Sequence, residues 1–480
     1  MSCGLNLRRR SRTCKAGEQN SSKRRENSNK NHPNRKYLEG NAEAPSLSDG
    51  VQAAPRPLLR KPRMLSGLFR ATVGEGNWKG ANGVLTVVSD VVLQNILEAD
   101  FRANPRYQLV LFDRLPLDQQ DALRDLTKDP DFYGVLLPRG EGGGNLKSVC
   151  RDTALLFMTL AQPGALPGYV RTSFGENCNR AISELVLDGV IEIRRGDGFV
   201  SGSAAFDLIG GRGPAPEARG FLGRLAQEAL EYAQALDIDD SGKLSARLYF
   251  YNRVPLSPRW RRRFPGREAV ASFLGIERGG ANKGALDARW RRLELPPPAD
   301  GWFQWESREK ASPQTGRRQR YKLYVSPHPE QVQETFHTVV ELLRESPAHH
   351  FKVGNDAAGL LRPDKIVVYF GSFDGLQATA NQLTERLAGC RSQGVPFTAA
   401  FSEENGLLSW GIDPAHEQGR LSWQERESWR LWLTNRLARA LLDAKREPTG
   451  PLEPWQFALE RVRLEKIDPE TWTPEVQKGG

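Results

Sequence analysis

Between Arg320 and Phe370 the spacing of apolar residues changes twice. It alternates in RYKLYVS, 320–326, where Leu323 and Val325 fall on one side and Lys322, Tyr324 and Ser326 on the other. It then becomes helical through Val332, Phe336, Val339, Val340 and Leu343, with Pro329 near the start. HHFKV at 349–353 reads as a short strand, and IVVYF at 366–370 as an apolar one. A strand–helix–strand run of this kind brings its strands into one sheet. The pattern therefore predicts an α+β domain from about residue 318 to the helix ending near Lys445, with Lys322, Tyr324 and Lys352 on one surface.

Arg362 and Lys365 follow in the loop before IVVYF. Four cations and a tyrosine, read without an acidic partner, call for an anion. Arginine offers phosphate two parallel hydrogen bonds and lysine a point charge. A desolvated lysine crowded by cations loses basicity and can act as a base near neutral pH. The residues alone leave two readings open: separately solvated strand ends, or one phosphate or sulfate site.

The net charge of +10 does not decide between them. Residues 1–63 hold 15 Lys and Arg against 5 Asp and Glu, so the remaining chain, with 53 of each, is neutral. The charge belongs to a tail over 1–64 too poor in apolar residues to form a core, and we expect it to be disordered. The neutral body gives no electrostatic case for nucleic acid. No apolar run is long enough to span a membrane, and no apolar segment follows the N-terminal arginines as in a secretory signal. Five scattered cysteines without a C-x-x-C pair suit a reducing cytoplasm, and the six histidines form no H-E-x-x-H.

Residues 65–240 read as an N-terminal α+β region. It opens with a strand at YQLVLFD (107–113), a polar helix and a strand at YGVLLP (133–138). The glycine loop RGEGGG (139–144) lacks the G-K-[ST] ending of a phosphate-binding loop and reads as a linker. Residues 152–202 give helix, helix and hairpin: DTALLFMTLAQ, then a helix with Ile182, Leu185 and Val186 on one face, then VIEI and FVSG joined by RRGDG. That is the winged-helix pattern, and it also resembles small modules that recognise leader peptides in ribosomal-peptide maturation enzymes. A helix follows at 226–236, an aromatic strand at KLSARLYFYNRV (243–254), and loops with a short helix at 255–298. Residues 241–450 are assigned to the C-terminal domain and 451–480 to an extension.

The run YKLYVSPHPEQVQETFHTVVELL…HHFKVGNDAAGLLRPDKIVVYF resembles a type III effector family whose members also occur as free-standing phospholyases of class V lanthipeptide and thioamitide biosynthesis. It is more distantly similar to the lyase domains of class III and IV lanthipeptide synthetases and to phosphothreonine lyases. The resemblance covers roughly 318–445. It implies elimination of phosphate from phosphoserine or phosphothreonine in a precursor peptide, without a cofactor and with a partner kinase. It assigns Lys352 as the base that removes the Cα proton and Lys322 and Arg362 as phosphate ligands; Lys365 joins the phosphate-binding set from the reading of the residues alone. The phosphothreonine lyases carry a histidine acid two residues after the first lysine; here that position is Tyr324. The departure keeps a second reading open, an inert phosphopeptide-binding protein. A third, from another class, is a winged-helix DNA-binding regulator.

Overall fold

The computed structural model describes residues 93–140, 146–210, 218–294, 301–309, 321–413, 428–446, 450–465 and 467–474. The basic tail and most of the RGEGGG loop lie outside them. The architecture is α+β, as expected.

The N-terminal region holds two small antiparallel sheets. One is β2-β3-β4 (Tyr107–Leu111, Phe132–Pro138, Lys147–Cys150). The other runs β5-β1-β6-β7 (Gly164–Ala165, Asp100–Ala103, Ile191–Arg195, Gly198–Val200). The helices Arg151–Thr159 and Cys178–Leu187 and the β6–β7 hairpin fall where the sequence predicts helix, helix and hairpin. Ile182, Leu185 and Val186 are all buried, as their common face requires.

The segment read as an aromatic strand at 243–254 is instead the helix Ser241–Tyr249. Its N-cap Asp240 accepts a hydrogen bond from the Lys243 backbone N–H at 2.8 Å. Leu244 and Leu248, one helical turn apart, are fully buried. Capping and an i, i+4 leucine pair outweigh the strand preference of the tyrosines and phenylalanine that follow. This helix packs beside the helix Trp429–Lys445, where the Ser245 hydroxyl lies 3.0 Å from Thr434 Oγ1 and 2.7 Å from Asn435 Oδ1. Both helices share one hydrophobic core with the N-terminal region.

The C-terminal sheet has seven strands in the order β13-β14-β10-β12-β11-β9-β8. They are Trp290–Leu293 (β8), Trp302–Ser307 (β9), Tyr321–Val325 (β10), His350–Gly354 (β11), Ile366–Phe370 (β12), Ala399–Ala400 (β13) and Leu408–Ile412 (β14). Every pairing is antiparallel. The expected strands β10 and β11 do share the sheet, with β12 inserted between them. The period of two then sorts the residues. Leu323, Val325, Phe351, Val353, Ile366, Val368 and Phe370 join the helices Val332–Leu343 and Phe373–Arg386 in a second core. Lys322, Tyr324, Lys352, Val367 and Tyr369 occupy the alternate positions, on the opposite face. The first turn of the helix Trp429–Lys445 and the last turn of Ser241–Tyr249 stand at this second face.

Candidate active site

Three elements bring side chains to this face. β10 carries Lys322 and Tyr324, β11 carries Lys352, and the turn after β11 carries Arg362. That turn is built tightly. A Cβ on Gly354 would collide with the backbone of Gly359, and Asp356 caps the short helix Ala357–Leu360 by accepting from the Gly359 N–H. The stretch that follows is pinned from both sides. Leu361 O accepts from Val254 N at 3.1 Å and from Gln393 Nε2 at 3.2 Å, and Pro363 O accepts from Ser326 Oγ at 2.6 Å.

Lys352 has no hydrogen bond or ion pair with any described residue. Its ammonium nitrogen lies 4.3 Å from the centre of the Trp302 ring and 5.9 Å from that of Tyr369. Burial, followed by the charges of Lys322 and Arg362, pushes its pKa down to about 7, against the smaller pull of Asp364 and Asp413. At neutral pH a substantial fraction is the free amine.

Lys322, two strands away, is built the opposite way. It is 6% exposed and ion-paired with Asp413, whose Oδ1 also accepts from the Trp429 N–H at 3.3 Å. Burial opposes its charge, but Asp413 overrides it and the ammonium is held above its ordinary pKa. Its nitrogen lies 5.3 Å from the Tyr369 ring centre, so both lysines meet the same aromatic ring. One stays charged while the other is poised to lose its proton.

Arg362 forms a two-pronged pair with Asp364, Nε to Oδ1 at 2.8 Å and Nη2 to Oδ2 at 2.9 Å. Asp364 Oδ2 also accepts from the Tyr249 hydroxyl at 3.2 Å and is ion-paired with Arg430 Nη1 at 3.0 Å. Burial would raise the Asp364 carboxyl, but the two arginines hold it well below the usual carboxylate range. The guanidinium carbon of Arg362 lies 4.7 Å from the Trp302 ring centre, the same ring that meets Lys352.

Tyr324 is 3% exposed, and its hydroxyl has no hydrogen-bond partner among the described residues. Gly411 on β14 makes room for the ring: a Cβ there would stand 3.5 Å from Tyr324 Cε2 and 3.8 Å from its oxygen. Burial raises the phenol's pKa, only partly offset by Lys322 and Arg430, so the group keeps its proton at all ordinary pH.

Two sequence expectations need correction. Lys365 is fully buried, and its side-chain nitrogen donates to Pro327 O at 2.8 Å and Gln393 Oε1 at 2.6 Å. It ties the turn to the loop at 391–394 and lies buried within the protein rather than on the open face beside Arg362. The cations are also not without acids: Asp364 and Asp413 each hold at least one. Asp413 is 91 residues from Lys322, too far for sequence spacing to link them. Trp302, Tyr249 and Arg430 likewise arrive from separate elements, and only Arg430 lay inside the run that drew attention.

The arrangement can bind a dianion through Arg362 and Lys322, hold a free amine at Lys352, and present an uncommitted phenol at Tyr324. No grouping of three or more His, Cys, Asp or Glu suited to a metal occurs among the described residues. No helix among them is long and apolar enough to cross a membrane.

No protein-family model matches the chain, and no curated protein matches it. Among solved structures it is similar to an effector protein from Pseudomonas syringae pv. tomato strain DC3000, at 13% identity and a TM-score of 0.32, over 52% of this chain and 96% of that one. It is also similar to the VirA (SpvC) phosphothreonine lyase effector of Chromobacterium violaceum, at 14% identity and a TM-score of 0.22, over 30% and 76%. A variant of the Salmonella plasmid virulence C protein (SpvC) aligns at 13% identity and a TM-score of 0.23, over 45% and 97%.

Proposed function

We propose that this protein is a phospholyase that eliminates phosphate from phosphoserine or phosphothreonine in a peptide, leaving a dehydroamino acid. The observation that carries the reading is the contrast between its two lysines. Lys352 has no hydrogen bond or ion pair among the described residues and its pKa is lowered to about 7, while Lys322 on the same face is kept charged by Asp413. Elimination needs both states at once, a neutral base for carbon and a fixed cation for the leaving group.

In this reading the Lys352 amine takes the Cα proton, and the C–H electron pair becomes the Cα=Cβ double bond. The Cβ–O bond breaks, and its pair leaves with the phosphate. Lys322 and Arg362 neutralise the leaving group, and Tyr324 donates the proton that the bridging oxygen acquires. The amine ends as an ammonium and the phenol as a phenolate. Proton return from Lys352 to Tyr324 through water resets the site. The residues need no redox partner for this step. We further propose that the peptide is a ribosomal precursor phosphorylated by a partner kinase, and that the N-terminal region docks it.

The test is mass spectrometry of phosphoserine and phosphothreonine peptides, with and without an attached leader. The expected result is loss of phosphoric acid together with release of inorganic phosphate. The protonated, deeply buried Tyr324 also favours a second reading, a binding protein that grips phosphopeptide without turnover. Tight binding with no mass loss from any such peptide would establish that alternative.

A further inference from the structure

Asp364 sits where an anion site should tolerate no carboxylate. It lies between two guanidiniums, 3% exposed, on the turn that presents Arg362. Simple electrostatics makes it a fault, since an acid beside Arg362 cancels the charge that would attract phosphate. The geometry gives it another part. Its Oδ1 takes Arg362 Nε and its Oδ2 takes Nη2, which fixes one edge of the planar guanidinium and leaves Nη1 for a ligand. Tyr249 bridges the pair, donating to Oδ2 at 3.2 Å and accepting from Arg362 Nη2 at 3.4 Å.

Arg430 supplies the missing charge. It is 1% exposed, and Nε donates to Pro396 O at 3.1 Å and Nη2 to Tyr249 O at 2.7 Å. Its Nη1 faces Asp364 Oδ2 at 3.0 Å as an ion pair without hydrogen-bond geometry, and the whole side chain is buried. One carboxylate and two guanidiniums leave the group with a net positive charge, so Asp364 can orient Arg362 without silencing it.

We propose that Asp364 is a positioning residue: it and Arg430 together hold Arg362 in the one orientation that receives phosphate. The proposal rests on the reading that Arg362 binds the substrate's phosphate, but not on turnover. It deepens that reading by assigning a task to residues that do not touch the substrate.

Two ideas predict opposite signs. If charge alone matters, Asp364→Asn removes a negative neighbour and inorganic phosphate binds more tightly. If orientation matters, phosphate binds at least about tenfold more weakly, as when a positioned charge-assisted contact is lost. Calorimetric titration of the full chain with inorganic phosphate reads this directly. Because Asp364→Asn leaves two guanidiniums facing each other and could unfold the protein, the charge-neutral pair Asp364→Asn with Arg430→Met is measured beside it. The net charge at Arg362 is then unchanged, and the expected loss is again about tenfold. Phosphate affinity equal to or above wild type in either folded variant overturns the proposal. In a turnover assay, Asp364→Asn also moves the acid limb of kcat/KM to lower pH, because its carboxylate helps Lys352 keep its proton. A wild type that binds phosphate in this Asp364-dependent way but eliminates nothing would sink the lyase reading and leave the positioning role standing.

Discussion

Tyr324 and Lys352 are both register partners of Val367, one from each side of the central strand β12. Strands lie about 4.8 Å apart, so the two backbones are separated by roughly 10 Å across an apolar floor. A base and an acid at that separation can address opposite ends of one substrate unit, the Cα–H and the Cβ–O bond. Neither can reach the other's proton without a substrate or water between them.

Lys352→Met should abolish elimination while leaving phosphopeptide affinity within a few-fold of wild type, since proton removal from carbon matters only in the transition state. Phosphate release and equilibrium binding are measured on the same preparation. Retained turnover removes Lys352 from the role of base.

The pH profile follows from the same lysine. With its pKa near 7, the amine is the active form, so kcat/KM should climb roughly tenfold per pH unit below about 7 and level off above it. Tyr324 keeps its proton well beyond that range, so no fall from its ionisation is expected up to pH 9. An acid limb centred at the ordinary lysine value would show that the amine is not desolvated in solution.

Tyr324→Phe separates two ways of releasing phosphate. A positioned acid contributes on the order of a hundredfold. We expect a fall of that size in kcat with KM little changed, because the hydroxyl has no hydrogen-bond partner among the described residues to lose. A fall of only a few-fold would assign the leaving group to the cations alone.

Lys322→Ala should act more broadly than Lys352→Met. It removes a proposed phosphate ligand and strands the Asp413 carboxylate beside the site. Phosphopeptide affinity should drop at least about tenfold, while the unphosphorylated peptide binds as before. Equal losses for the two peptides would give Lys322 a purely structural task.

Lys365 gives a prediction about stability. Burial pushes its folded pKa down to about 7, whereas an unfolded lysine titrates near 10.4. Between those values the unfolded chain binds more protons, so stability rises with pH, by at most about 1.4 kcal/mol per unit for this group. Lys352 contributes in the same direction. Lys365→Met should therefore flatten the rise between pH 7 and 10 without removing it, as read by denaturant titration at several pH values.

How far the site was legible in the sequence follows from how its residues are spaced. Lys322, Tyr324 and Lys352 could be placed on one face because alternation along a strand is strict, and one buried face fixes the rest. Asp364 stood in plain view two residues from Arg362, yet no local rule says that a carboxylate beside an arginine serves it rather than cancels it. Lys365 was misassigned because it sits at a strand entrance, where alternation does not yet apply. Tyr249 was lost with its helix, since a run of aromatics imitates a strand when the leucines one turn apart are read individually. Trp302 and Asp413 carry no signal beyond their tertiary neighbours.

The two hydrophobic cores meet at this site, and that bears on how the protein can be divided. The recognisable stretch, roughly 318–445, contains both lysines, Tyr324, Arg362, Asp364 and Arg430, and it looks like a transplantable cassette. It is not one. Tyr249 lies outside it, and the helix that presents Arg430 rests on the helix that presents Tyr249, inside the core shared with the N-terminal region. Grafted elsewhere, the cassette would keep every charge and lose the surface against which those charges are aligned. Chimeras and minimal versions should therefore be cut upstream of Ser241, and exchanges of the N-terminal region are exchanges of the support on which the helices of Tyr249 and Arg430 rest.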